Sequence, residues 1–142
     1  MRAVTLSCLV AMAGCAEHAD PAQIALGAEV YAKHCAACHG AKLEGQPNWK
    51  QKLPSGRWPA PPHDESGHTW HHSDQWLFEV VEKGMVPPNL PRGHQSDMPA
   101  FGDRLSNAEI RAVLAYIKSH WSEETLRRRA EMRQKRLARN IK

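Results

Sequence analysis

The apolar positions of this chain recur at helical spacing in separate stretches, and no stretch alternates in the manner of a β-strand. The first predicted helix begins near Pro21, a residue suited to the first helical turn, and carries its apolar positions over residues 24–31. The second runs from Asp74 to Lys83, because Ser73 can cap its start and Gly84 can end it. The pattern predicts an all-α protein.

The clearest amphipathic helix is predicted after residues 106–109, whose sequence Ser-Asn-Ala-Glu has the form of a capping box. Residues 122–125 restart or continue this helix into a segment that ends at Lys142. We expect the packed apolar stripe to end at Trp121, with a basic helical tail over residues 122–142. The stripe consists of Ile110, Val113, Leu114, Ile117 and Trp121.

Two long loops separate the predicted helices, over residues 40–72 and 85–102. Prolines exclude regular helix from the first loop, namely Pro54, Pro59, Pro61 and Pro62. The whole chain has 142 residues, with ten Pro but only two Phe and two Tyr, so apolar material for a single core is thin. Loops of this length in one small domain indicate packing against a group that is not protein.

The first apolar run lies at the amino terminus, where Arg2 is followed by residues 3–13 without a charge. The run has the length of a signal peptide and is too short to span a bilayer, so it predicts export to the periplasm. Small residues before Cys15 resemble the cleavage site of bacterial lipoproteins, which predicts a lipid anchor on Cys15. A cytosolic helix with Cys8 and Cys15 buried is the alternative. The expected boundaries are a leader over residues 1–14, a spacer over residues 15–21 and a domain over residues 22–121.

The candidate chemistry lies at residues 35–39, which have the pattern Cys-X-X-Cys-His. Two thiols one helical turn apart can add to the two vinyl groups of a haem, and the next imidazole then lies under the iron. A thioredoxin-like redox pair needs a βαβ context, and half of a zinc site needs two further ligands at tight spacing. The sequence shows neither context. We therefore predict one haem c bound covalently by Cys35 and Cys38, with His39 as an axial iron ligand.

With these residues in place, the chain resembles the class I cytochromes c, the small monohaem all-α family, over residues 24–121. The resemblance implies a fold in which the N- and C-terminal helices cross near Gly27, with Tyr116 packed at the contact. It also implies that Met98 is the distal iron ligand. The matching features are Gly27 with Tyr31, the Cys-X-X-Cys-His-Gly stretch, Met98-Pro99-Ala100-Phe101, and Ala115-Tyr116-Ile117.

Elementary chemistry supports Met98 independently, because a thioether on a loop held by proline can reach iron from the side opposite His39. Met85 is the competing thioether, since it lies on a loop between Gly84 and a Pro-Pro pair, and His94 is a further competitor. Either methionine can instead be a filler of the core.

The loop at residues 58–62 is similar to the proline-containing loop that lies below the proximal face in this family. We expect one of the carbonyls of residues 60–62 to accept a hydrogen bond from His39. The candidates to border the edge of a haem propionate are Arg57, Trp49 and Trp58. Simple aromatic packing also accounts for each tryptophan.

Four histidines lie within ten residues and are the candidates for a second metal site, which would hold copper or zinc. Solvated loop histidines, or one imidazole bonded to a propionate, are the simpler interpretation. The cluster consists of His63, His68, His71 and His72.

Charge is segregated along the chain, since residues 123–142 hold eight Lys or Arg against three Glu within an overall net charge of +4. Such a tail can dock an acidic redox partner or rest on an anionic membrane, or it can simply be solvated; nucleic acid is not expected for an exported haem protein. With His39 and Met98 both bound, the iron has no open position, so the sequence predicts an electron carrier rather than an enzyme. The alternatives are a haem protein that binds peroxide or a gas, if Met98 is not a ligand, and a copper-handling protein based on residues 63–72.

Overall fold

Five α-helices and one short 3-10 turn make up the regular structure of residues 20–140, the part of the chain that the computed structural model describes. No strand occurs among these residues, as the all-α prediction requires. The expected leader and Cys15 lie outside the described residues. The elements are α1 (Pro21–His34), α2 (Ala36–His39), the 3-10 turn (Thr69–His71), α3 (Asp74–Lys83), α4 (Asn107–Ser119) and α5 (Glu123–Asn140).

The helix boundaries follow the side chains that cap them. The Ser73 hydroxyl accepts a hydrogen bond from the backbone N–H of Trp76 at 3.2 Å, and Gly84 ends α3 at a positive φ of 78°. Ser106 and Glu109 form the complete capping box at the start of α4. These predictions are confirmed. The third predicted helix is shorter than expected, because α4 ends at Ser119 and a bend separates it from α5.

Helices α1 and α4 cross at Gly27, as the resemblance implied. A methyl group at Gly27 would lie 2.1 Å from the carbonyl oxygen of Ala112 and 2.7 Å from Cβ of Tyr116, so only glycine permits this approach. The rings of Tyr31 and Tyr116 pack beside the crossing with their centroids 5.4 Å apart. The buried face of α1 consists of Gly27, Val30 and Tyr31, whereas Leu26 is exposed.

The expectation that packing ends at Trp121 is wrong, because α5 is attached to the body of the protein through Thr125 and Arg129 in its first half and through Arg136 further along. Thr125 is buried and the Arg129 side chain is only 12 % exposed. The Arg129 guanidinium donates to the carbonyl oxygens of Trp70 and His72 and lies 5.4 Å from the ring centroid of Trp121. Helix α5 therefore packs on the 3-10 turn.

Candidate functional site: the haem-attachment turn and its surroundings

One helical turn brings the two thiols and the imidazole of residues 35–39 together. The Cys35 N–H continues the ladder of α1 by donating to the Tyr31 carbonyl at 2.9 Å, and the His39 N–H donates to the Cys35 carbonyl at 2.9 Å. Cys38 follows Cys35 by one turn, and both side chains retain solvent access. The turn therefore presents two thiols in the relative position that thioether bonds to a haem require.

The His39 imidazole is buried and anchored on one nitrogen. Its Nδ1 lies 2.8 Å from the carbonyl oxygen of Pro61, which confirms that a carbonyl of residues 60–62 is its partner. Because a carbonyl can only accept, we assign the proton to Nδ1, which leaves the lone pair on Nε2 for a metal. Burial lowers the pKa of His39, and the hydrogen bond to Pro61 opposes this shift only in part. The ring is thus neutral, as a metal ligand must be.

Close backbone contacts hold Pro61 under His39. Gly45 N–H donates to the His39 carbonyl at 2.7 Å, and a side chain at Gly45 would meet the Pro62 nitrogen at 2.4 Å. Gln46 N–H donates to the Ala60 carbonyl at 2.9 Å, which joins the two halves of the long loop. Gly45 also has a positive φ of 69°, a conformation that glycine adopts without strain. The loop is therefore an ordered wrap around the histidine.

The Met98 segment packs on α3 and on His34, the last residue of α1. Phe101 N–H donates to the Val81 carbonyl at 3.0 Å, and the Phe101 ring meets the ring of His34 edge-on, at 6.1 Å between centroids. His34 directly precedes Cys35, so this contact brings the segment to the predicted haem site. Met85 N–H donates to the Met98 carbonyl at 3.3 Å, so the two candidate thioethers lie on neighbouring backbone segments.

Arg57 and Trp58 tie the Met98 segment to the loop that carries Pro61. Arg57 donates to the carboxylate of Asp97 at 2.6 Å and to the carbonyl of Ser96 at 3.1 Å. The Trp58 ring stacks on the imidazole of His94, with centroids 5.6 Å apart. His94 was the further candidate for the distal iron ligand beside Met98. The segments expected on the two sides of the haem are thus joined directly.

The two alternatives for the cysteine pair find no support in this geometry. Burial raises the pKa of the Cys35 thiol to about 11, with a further contribution from Cys38, whereas a thioredoxin-like nucleophile needs a lowered pKa. Between residues 20 and 140, no group of three His, Cys, Asp or Glu side chains is placed to hold a metal ion.

The four clustered histidines instead contact aromatic rings. His68 stacks on Trp49 with centroids 5.5 Å apart, and His72 stacks on Trp76 at 3.8 Å. Burial, reinforced by the nearby positive groups, lowers the pKa of His72 to about 4. His63 differs from the others, because it is stacked on His39 itself with centroids 4.0 Å apart.

Three buried nitrogens lack a hydrogen-bond partner among residues 20–140. The indole N–H groups of Trp58 and Trp70 and the Nε2 atom of His72 have no hydrogen-bond partner in the described part of the protein. Buried donors normally find an acceptor, and of these groups the indole N–H of Trp58 lies on the loop that carries Pro61, where a haem propionate can accept from it. The sequence had placed Trp58 among the propionate candidates but had not singled out Trp70, for which it held no signal beyond the residue type.

An all-α domain in which such a turn presents two thiols and an anchored, neutral imidazole defines the class of c-type cytochromes. The model of one protein family matches residues 22–117, more than half of the chain. The chain belongs to this family, described as cytochrome C oxidase, cbb3-type, subunit III.

Curated relatives are likewise named as subunits of cbb3-type cytochrome c oxidases. The chain is 30% identical over 99 residues to a protein of Azospirillum sp. (strain B510) named Cbb3-type cytochrome c oxidase subunit CcoP, which covers 70% of this chain and 29% of that protein. It is 24% identical over 96 residues to subunit FixP of Sinorhizobium medicae (strain WSM419), covering 68% of this chain and again 29% of the relative. The chain thus spans less than a third of these relatives. No solved structure matches it. None of the helices described is long and apolar enough to cross a membrane.

Proposed function

We propose that this protein is an electron carrier in which Cys35 and Cys38 bind one haem c covalently and His39 and Met98 are its axial iron ligands. The observation that carries the proposal is the hydrogen bond of 2.8 Å between His39 Nδ1 and the Pro61 carbonyl, which leaves the lone pair of Nε2 for iron. Bound haem supplies a reversible one-electron change of its iron. The role of the protein is to hold two ligands, to exclude water and to leave room for a redox partner.

Methionine as the second axial ligand of the iron distinguishes this proposal from an enzymatic function. With both axial positions occupied, no site remains on the metal for peroxide or a gas, and the protein acts as a carrier rather than an enzyme. Support for Met98 comes from the Phe101–His34 contact, which brings its segment beside Cys35. The relatives are named as subunits of an oxidase, which agrees with a carrier that serves an oxidoreductase.

Covalent attachment is tested by denaturing electrophoresis of the purified protein followed by a haem stain. We expect the stain to remain with the polypeptide, and to be weakened or lost in Cys35→Ala and Cys38→Ala. The matched control is Ala37→Ser, which changes an exposed residue of the same turn and should retain the stain. Haem that is extracted by acid acetone from the wild-type protein would contradict the proposal.

We propose that the partner is a redox protein with an acidic surface, which docks on α5. Apart from Arg129, the basic residues of α5 are exposed around the helix. They include Arg127, Arg128, Arg133, Lys135 and Arg139. Opposite charge mainly accelerates the encounter of two proteins. An anionic membrane has the same charge chemistry and is the competing docking surface.

We further propose that the protein is exported to the periplasm and anchored by a lipid on Cys15. The support is the sequence of residues 1–15 alone. We expect wild-type protein to sediment with membranes and Cys15→Ser to remain soluble, while Cys8→Ser, the control for the other leader cysteine, behaves like wild type. A mature N-terminus beyond Cys15 would show ordinary signal cleavage instead.

A further inference from the structure

His63 lies against the face of the imidazole that we propose as the proximal ligand. The centroids of the His39 and His63 rings are 4.0 Å apart and their planes are inclined by only 21°. The segment that contains His63 also contains Pro61, whose carbonyl holds the edge of the same imidazole through Nδ1. Pro61 and His63 therefore contact the His39 ring at its edge and on its face, respectively.

The His63 ring is itself held in a fixed orientation. Its Nδ1 lies 2.9 Å from the Thr69 hydroxyl oxygen, and that hydroxyl donates to the Pro62 carbonyl at 3.3 Å. Because the single proton of the hydroxyl is used on Pro62, the oxygen accepts from His63, which places the His63 proton on Nδ1.

The backbone of His63 is held on both sides as well. Its N–H donates to the Leu43 carbonyl at 2.8 Å, and its carbonyl accepts from the indole N–H of Trp121 at 2.9 Å. The Tyr31 ring meets the His63 ring edge-on, with centroids 6.3 Å apart. Because the backbone N–H, the backbone carbonyl and the side chain of His63 are all held, its ring cannot move away from His39 without breaking several contacts.

We infer that His63 is a positioning residue, which fixes the plane of the His39 imidazole about its bond to iron through the stacking contact. The hydrogen bond to Pro61 restrains the ring at one atom, and the stacked face prevents rotation about that atom. Groups that orient an axial histidine influence the electronic properties of the metal centre. This inference rests on the proposed role of His39 as the axial ligand.

A second consequence concerns the reduction potential. The imidazole of His39 becomes more positive when a bound iron is oxidised, and the π-face of the His63 ring, 4.0 Å away, favours that state. Loss of the aromatic face therefore raises the reduction potential.

The test compares full-length haem-loaded variants by electron paramagnetic resonance of the ferric protein and by redox titration. His63→Leu keeps apolar volume but removes the flat ring, and we expect altered g values and a raised reduction potential. His63→Phe restores a flat ring and should lie closer to wild type than His63→Leu. Thr69→Val removes the hydrogen bond that orients His63 and should shift the g values in the same direction, by less. His68→Leu, whose ring stacks on Trp49, is the matched control and should change neither property.

Unchanged g values and potential in His63→Leu would show that His63 only fills space and would overturn the inference. Equal effects of His63→Leu and His63→Phe would overturn it too, because a flat ring would then have no special role. If neither His63→Leu nor His63→Phe retains haem, the Thr69→Val variant provides the test. Unchanged g values in Thr69→Val would then contradict the inference. Failure of the proposed function is distinguishable, because the wild-type protein itself would then lack a low-spin ferric haem.

Discussion

Arg129 of α5 donates a hydrogen bond of 2.8 Å to the carboxylate of Asp74, the first residue of α3. The same carboxylate oxygen accepts from Nζ of Lys118 on α4 at 2.9 Å, so one carboxylate joins three helices. Burial alone would raise the pKa of Asp74, but the hydrogen bonds and charges of Lys118 and Arg129 outweigh it and lower the pKa. The carboxylate is therefore ionised at neutral pH.

The first prediction follows from this arrangement and concerns two neighbouring arginines. Arg129→Ala should destabilise the protein by about 2 kcal/mol, because hydrogen bonds from a charged group to two carbonyls and Asp74 are lost. Arg128→Ala should cost less than about 0.5 kcal/mol, since Arg128 is exposed and pairs with Glu124 on its own helix. Chemical denaturation measures both. Equal costs would show that α5 is not attached through Arg129.

Much of the helical framework was predictable because its signals are local. Ser73 and Gly84 define both ends of α3, and Ser106 with Glu109 defines the start of α4, each through contacts within four residues. The Cys-X-X-Cys-His turn is equally local. The partner of His39 was predictable to within three residues from the resemblance, and the structure identifies it as Pro61.

The docking of α5 and the stacking of His63 were not predictable, for a physical reason. Arg127, Arg128 and Arg129 are identical in type and adjacent, so no sequence pattern distinguishes the one that packs from the two that are solvated. His63 was one of four histidines in a loop without periodicity, and its position on His39 depends on contacts with residues far away in sequence, such as Trp121. Contacts of this kind are set by the tertiary fold.

The second prediction concerns the distal iron ligand. Met98→Ala should abolish the weak near-infrared charge-transfer band of methionine-ligated ferric haem, whereas Met85→Ala should retain it. The reason is that Met98-Pro99-Ala100-Phe101, and not the stretch around Met85, resembles the segment that carries the distal ligand in class I cytochromes c. Absorption spectra of the oxidised proteins provide the measurement. Loss of the band in Met85→Ala alone would assign the ligand to Met85.

The third prediction concerns the helix crossing. Gly27→Ala should destabilise the haem-loaded protein by about 3 kcal/mol, because the new methyl group would lie 2.1 Å from the Ala112 carbonyl oxygen and α1 must move away from α4. Ala25→Ser, at an exposed position of the same helix, is the control and should cost less than about 1 kcal/mol. Thermal unfolding compares the two. A tolerated Gly27→Ala would contradict the close crossing.

The fourth prediction concerns stability at acid pH. Burial, followed by repulsion from His68, His71, Arg136 and Arg129, lowers the pKa of His72 to about 4, while in the unfolded chain it is about 6.5. The unfolded state thus binds more protons between these values, and stability falls as the pH decreases from about 6.5 to 4. His72→Gln should reduce this pH dependence, measured by denaturation at several pH values. An unchanged slope would show that His72 does not contribute to it.

The fifth prediction concerns the outer part of α5. The expectation that packing ends at Trp121 implied that the tail after Ser122 could be removed with little loss of stability. That cut would remove Thr125 and Arg129, which pack on the body. A chain that ends at Glu131 keeps both contacts. It loses no acidic residue but five basic ones, which are Arg133, Lys135, Arg136, Arg139 and Lys142.

We expect the chain ending at Glu131 to keep its haem spectrum, with only a small loss of stability from the missing bond between Arg136 and the His71 carbonyl. Its electron transfer to an acidic redox protein should be slower at low salt, and the difference should disappear as salt shortens the Debye length below about 8 Å. A full-length variant with Arg133, Lys135 and Arg139 changed to Gln separates charge from helix length and should behave similarly. Equal transfer rates at low salt, together with weakened binding to anionic vesicles, would assign the outer half of α5 to a membrane surface instead of a protein partner.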